Sequence, residues 1–188
     1  MAGLPLPLLP LQILFLNLVT DIFPAFALAT GEGERDVLRR PPRDPRESLL
    51  ARPQWIFIVT YGAVLTAATL GALLIGSLVL ELEGEALVTV SFLTLAFAQL
   101  AHVLNMRGRG ASVFVNAVTT NPYVWLALIF CAGLLVGAVY APPIANALQI
   151  TAPDQAGWML VAGASLMPLV LGIIFSAARA ILGRKSRE

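Results

Sequence analysis

A run of twenty mostly apolar residues, LQILFLNLVTDIFPAFALAT at positions 11–30, carries a carboxylate at its centre. Twenty such residues in a helix are long enough to cross the hydrocarbon core of a bilayer. Asp21 at mid-span costs roughly 2.5 to 3.5 kcal/mol on insertion scales, so it needs a cation or a water-lined site to compensate it. In an α-helix of about 100° per residue, Asn17, Thr20 and Asp21 fall within one narrow arc and bring three oxygen-bearing side chains together. Pro24 has no N–H, which removes the usual partner of the Thr20 carbonyl and kinks the helix, a defect that a membrane helix tolerates only against protein or a polar cavity. The pattern describes a site for a hard cation. Asn17 and Thr20 alone would serve equally well as interhelical hydrogen-bonding groups, and a proton-relay carboxylate is a further reading. An ionisable group at mid-span is functional by default, which favours ion binding.

The remaining apolar stretches repeat the length but not the polarity. Spans are expected at 11–30, 55–80, 86–106, 123–140 and 156–182, the last bent at Pro168, giving an all-α membrane protein with five transmembrane helices in a single domain over 1–188. With 58% hydrophobic and 12% charged residues, the chain suits a bilayer and not a water-soluble core. Residues 1–10, MAGLPLPLLP, are proline-rich and lack the features of a secretory signal peptide. Residues 31–53 form a charged, proline-rich loop, residues 111–122 lead through Asn121-Pro122 into the fourth span, and 141–155 make another short loop. Cys131 is the only cysteine and lies inside an apolar run, so it says nothing of redox compartment.

Basic residues orient the spans. All 12 fall at 35–52, at 107–109 and from 179 onward, whereas 1–10, 81–85 and 141–155 have none. Cytoplasmic loops hold the excess of Lys and Arg, so the amino terminus is expected outside and the carboxy terminus in the cytoplasm. Trp55, Tyr123, Trp125, Tyr140 and Trp158 fall near span ends, as interfacial aromatics do. Acids interleave with the arginines of the first loop, and orientation already accounts for their placement, so no nucleic-acid partner is expected.

The sequence Asn17-Leu-Val-Thr-Asp21, then Pro24-Ala25, then RPPR at 40–43, resembles the sixth transmembrane helix and following cytoplasmic loop of P-type cation-transporting ATPases, particularly the calcium-pump branch. The resemblance extends more weakly to the seventh to tenth helices at the end of the chain, and departs at Ile22, where calcium pumps usually have glycine. It implies a partial P-type ATPase membrane domain that begins in the middle of a larger protein, as a fragment, a separately encoded half or a pseudogene product. By the same resemblance Gln99 takes an eighth-helix position where some calcium pumps have a glutamate, so a neutral oxygen replaces a charge and a single transported ion is implied. The cation ligands are then Asn17, Thr20, Asp21 and Gln99, with calcium and manganese both suited to such an oxygen set.

His102 shares a helix face with Gln99 by spacing and is expected to be a hydrogen-bonded packing residue, with Asn105 a cap or headgroup contact. Small residues at 63, 67 and 71, and at 133 and 137, are expected to let backbones approach closely. The chain has neither a DKTGT-like phosphorylation motif nor a P-loop, nor a soluble stretch long enough for a nucleotide domain, so alone it should show no ATPase activity. Mg-ATP would act only through the absent amino-terminal part of the pump, which would also supply the fourth and fifth helices. Besides that part, the expected partner is membrane lipid, and the expected location is a bacterial inner membrane. The competing reading is a free-standing small membrane protein, either an ion-coupled carrier or a structural subunit. Orientation is checked by labelling single cysteines with an impermeant reagent in intact cells. Positions 83 and 154 should react and positions 40 and 108 should be protected; protection of position 83 would overturn the topology.

Overall fold

Hydrocarbon offers no water to an exposed N–H or C=O, so a spanning segment must close its hydrogen bonds internally. The computed structural model describes residues 7–30, 52–106 and 116–185, without the side chains of residue 53 and of 176–185. Among the described residues the regular structure is entirely helical. The first span consists of α1 (Pro10–Asn17), a π-helical turn (Leu18–Ile22) and α2 (Phe23–Ala29). There follow α3 (Arg52–Leu78), α4 (Gly84–Val103), α5 (Pro122–Tyr140), a short α6 (Pro142–Leu148) and α7 (Gln155–Lys185). Five of these segments are long and apolar enough to cross a membrane. The arginine-rich loop with RPPR at 40–43, together with Arg107 and Arg109, lies outside the described residues.

The bundle is organised around α4. Two thirds of its most apolar stretch is buried, against a third or less in the other four spans. The cause is compositional: α4 has apolar or small residues all round its circumference, and such a helix has no face that prefers solvent. Its hydroxyl residues do not break that rule, because Thr89 and Ser91 donate to the carbonyls of Glu85 and Leu87 one turn back at 2.7 and 3.1 Å. Val90, Phe92, Leu93 and Ala96 then fill the centre of the core with Leu16 and Val19 of the first span, Leu135 of α5 and Val161 of α7.

Start and stop signals match the chain chemistry. Asn121 caps α5 by accepting from the Tyr123 N–H at 2.9 Å, with Pro122 in the first turn. At the head of α7, the Asp154 side chain accepts from the Gly157 N–H at 2.7 Å. That helix runs on through Pro168, which is fully buried. The segment 141–155, expected as loop, contains α6, whose first turn is primed by Pro142 and Pro143 and whose end is closed by Gln149 in the left-handed region.

The small residues do pack helices together, but at a different register from the expected one. Ala63, Ala67, Gly133 and Gly137 are exposed, and a Cβ on Gly71, Gly133 or Gly137 would meet nothing within 4 Å. The buried stripe on α3 is Ala68, Ala72 and Gly76, also four apart, and a Cβ on Gly76 would come within 2.9 Å of Leu87 Cδ1 on α4. The sequence holds two parallel stripes of small residues one position apart, and only the placement of α4 selects between them. The tightest approach is at Gly172 of α7, where a Cβ would strike the Tyr61 hydroxyl of α3 and lie 2.6 Å from Asn105 Nδ2. Gly172→Ala should therefore destabilise the bundle by about 1 to 3 kcal/mol through overpacking, while Gly137→Ala should not. Thermal unfolding of the detergent-solubilised protein checks this; equal melting temperatures for the two variants would refute it.

Candidate cation site

The first span changes its winding where its polar residues begin. Leu18–Ile22 close i→i+5 hydrogen bonds in a π turn, a form that occurs mostly as a single turn within α-helices and often at functional sites. Pro24 stands just beyond it, in the first turn of α2, and is buried. In an α-helix the oxygen left bare by Pro24 belongs to Thr20. In the i→i+5 register the oxygen facing position 24 belongs instead to Val19, which is fully buried. The Cys131 thiol of α5 lies 3.1 Å from that oxygen and donates to it.

The π turn also opens the expected arc of ligands, because it advances each residue through a smaller angle than the α-helix does. Thr20 turns inward and is 6% exposed, whereas Asn17 and Asp21 face out of the bundle. Around the Thr20 hydroxyl lie the Gln99 side-chain oxygen at 2.9 Å, the Leu16 carbonyl at 3.0 Å and the Asp21 carboxylate at 3.4 Å. One hydroxyl proton cannot serve three acceptors. Four oxygens meet at the middle of the first span, drawn from that span and from α4. Among the described residues no three His, Cys, Asp or Glu side chains gather, so Asp21 is the one formal charge in this oxygen set.

Gln99 and His102 do not share an environment despite their spacing. Gln99 meets the π turn, while the His102 ring packs against Tyr61 of α3 with centroids 4.1 Å apart and planes tilted by 41°. Three residues along a helix leave a wide enough angle for α4, packed on several sides, to direct them to different neighbours. His102 Nδ1 has no hydrogen-bond partner among the described residues, and the ring lies against Tyr61 and Phe57 in tilted contacts. Asn105, expected at a cap or headgroup, is 7% exposed and wedged against Gly172, and among the described residues its amide has no partner. The 380 Å³ groove between α2 and α5, lined by Phe23, Phe26, Tyr123 and Phe130 among others, is almost wholly apolar and offers a cation nothing.

Sequence reasoning missed three residues that hold the first span in place. Gln12 is completely buried: its oxygen accepts from the Leu9 N–H at 3.0 Å, and its amide donates to the Leu148 carbonyl of α6 at 2.9 Å. At the other end the Asn121 amide donates to the Ala27 carbonyl at 3.1 Å, and Cys131 binds between them. Gln12 was legible only as an isolated amide in the first turn of an apolar run.

A five-span helical bundle with a wound-open helix and an oxygen cluster at mid-span has the architecture of a cation-handling membrane domain. Comparison with known proteins agrees. Residues 5–178 match the family model described as cation transporting ATPase, C-terminus, and the chain belongs to that family. It is 38% identical to the calcium-transporting ATPase of Bacillus subtilis (strain 168) over 90% of this chain and 19% of that protein. With calcium-transporting ATPase 1 of Bacillus cereus (strain ATCC 10987 / NRS 248) the identity is 31% over 94% of this chain and 22% of the relative. With calcium-transporting ATPase 1 of Lactococcus lactis subsp. lactis (strain IL1403) it is 27% over 93% and 20%. The chain thus spans about a fifth of the length of these relatives, and it is an integral membrane protein by its five apolar helices and its family.

The anchors carry a direct test. Asn121→Ala removes a helix cap and a buried bond to Ala27, and should lower stability by about 1 to 3 kcal/mol. Asn121→Asp keeps the cap but loses the donor, so it should fall between the two in thermal unfolding. An Asn121→Ala protein that melts with the wild type would show that the clamp on α2 contributes nothing.

Proposed function

We propose that this chain is the ion-binding membrane part of an ATP-driven calcium pump, with Asn17, Thr20, Asp21 and Gln99 as ligands of one transported cation. The observation that carries the reading is the cluster around Thr20: hydroxyl, amide oxygen, backbone carbonyl and carboxylate drawn from two spans. Calcium takes six to eight oxygens at about 2.3 to 2.6 Å, and such a cluster supplies part of that shell. Asp21 gives the charge, Thr20 and Gln99 give neutral oxygens that orient the ion between the π turn and α4, and Asn17 approaches from the outward face. With glutamine at position 99, α4 contributes no charge, which fits one ion better than two.

Asn17 and Asp21 sit on an open face of the first span. A carboxylate turned toward acyl chains is costly, so that face calls for further helices. The missing part of the pump, with its fourth and fifth helices, would cover it and complete the coordination shell. This argues against a free-standing carrier. Mg-ATP would act through cytoplasmic domains on that same missing part, phosphorylating an aspartate and shifting the membrane helices so that the site opens to each side in turn. The names of the relatives give calcium and not manganese, and the bacterial cell membrane is the proposed location, with the amino-terminal end outside and the carboxy-terminal end in the cytoplasm.

In the complete pump, Asp21→Asn should abolish cation-dependent phosphorylation by ATP, because it removes the charge and keeps the shape. Gln99→Ala should raise the half-saturating calcium concentration by about three- to tenfold, the worth of one neutral oxygen contact. His102→Ala should change it little. Phosphoenzyme formation titrated with calcium and with manganese measures all three. Unchanged affinity in Asp21→Asn with loss in His102→Ala would place the site on the wrong helix.

A further inference from the structure

The hydrogen bond from Cys131 lies outside the ligand set and joins it to a span that carries no ligand. Three observations meet there. The first span is wound as a π turn over Leu18–Ile22, the residue five beyond Val19 is a proline, and the Cys131 sulfur is 3.1 Å from the Val19 oxygen. Both residues are fully buried, so neither water nor lipid can replace the bond. Val19 also directly precedes Thr20, the residue around which the oxygens gather. A backbone oxygen without a partner in a dry core favours rewinding to a form that satisfies it. Donation from α5 removes that tendency and holds the turn open.

We propose that Cys131 is a positioning residue for the cation site: by donating its thiol proton to the Val19 carbonyl, it stabilises the π turn that directs Thr20 toward Gln99 and leaves Asp21 beside them. The proposal rests on the cation reading given above. Cys131 touches no ligand atom itself. It acts through the backbone, so its loss changes how well the ion is held and not whether the protein can be phosphorylated. A thiol is a weak donor, which suits a bond whose purpose is to select one winding over another.

Two measurements test this. The first uses the 188-residue chain reconstituted in lipid vesicles, where Cys131 is the only source of an S–H stretching band. The band should lie at the lowered frequency of a donating thiol; a band at the frequency of a free thiol overturns the proposal. The second uses the complete pump and the calcium dependence of phosphoenzyme formation. Cys131→Ala and Cys131→Val should each raise the half-saturating calcium concentration by about three- to tenfold, as for the loss of one neutral hydrogen bond, with the maximal phosphoenzyme level unchanged. Cys131→Ser keeps a donor and should stay within about twofold of the wild type on the same scale. If Ala and Val match the wild type while Asp21→Asn abolishes the response, the positioning role is overturned and the site stands. If Ser fails as badly as Ala, packing and not donation is responsible, and the proposal is again overturned. A normal response in Asp21→Asn overturns the cation reading and the positioning role together, and the infrared band then reports the thiol bond by itself.

Discussion

Withdrawal of water from polar groups is the constraint on which the rest of this bundle depends. Several polar side chains of the core meet it locally or across a helix pair: Thr89 and Ser91 bond back along α4, Gln12 reaches α6, and Asn121 reaches the end of α2. These solutions leave α4 free to be buried on every side, and its burial in turn fixes where the other spans lie. The side chains of Asn105 and Thr94 are buried without a partner among the described residues, whereas the cluster at Thr20 opens through Asp21 onto the exposed face of the first span. There a hydroxyl, an amide, a backbone carbonyl and a carboxylate from two spans come within hydrogen-bonding distance of one another.

Much of the architecture was legible because the bilayer sets a length. Five runs of about twenty apolar residues could be counted from the sequence, and polar residues inside them stood out against that background. Thr20, Asp21 and Gln99 were found in this way, and the structure draws them together. The motif around Asn17 and Pro24 carried the family, which the comparison with known proteins established independently.

What escaped the sequence depends on neighbours. Periodicity assumes one winding throughout a helix, so the π turn was invisible, and with it the transfer of the unpaired oxygen from Thr20 to Val19 and the outward turn of Asn17. Two stripes of small residues on α3 differ by a single position, and spacing alone does not say which one meets α4. His102 and Gln99 satisfied a rule for sharing a face and were nonetheless claimed by different partners. Cys131 looked uninformative, since an isolated thiol in an apolar run is ordinarily a small hydrophobe.

Gln12 and Asn121 lie near opposite ends of the first span and grip different parts of it, one through a side chain and one through a terminal carbonyl. A helix held in this way is mechanically a shaft in two bearings. Sliding along its axis would break both bonds at once, whereas twisting at the widened turn between them strains neither bearing. Twist is the motion these two bonds leave open at the residues that carry Thr20 and Asp21, and there the Cys131–Val19 bond is what opposes it.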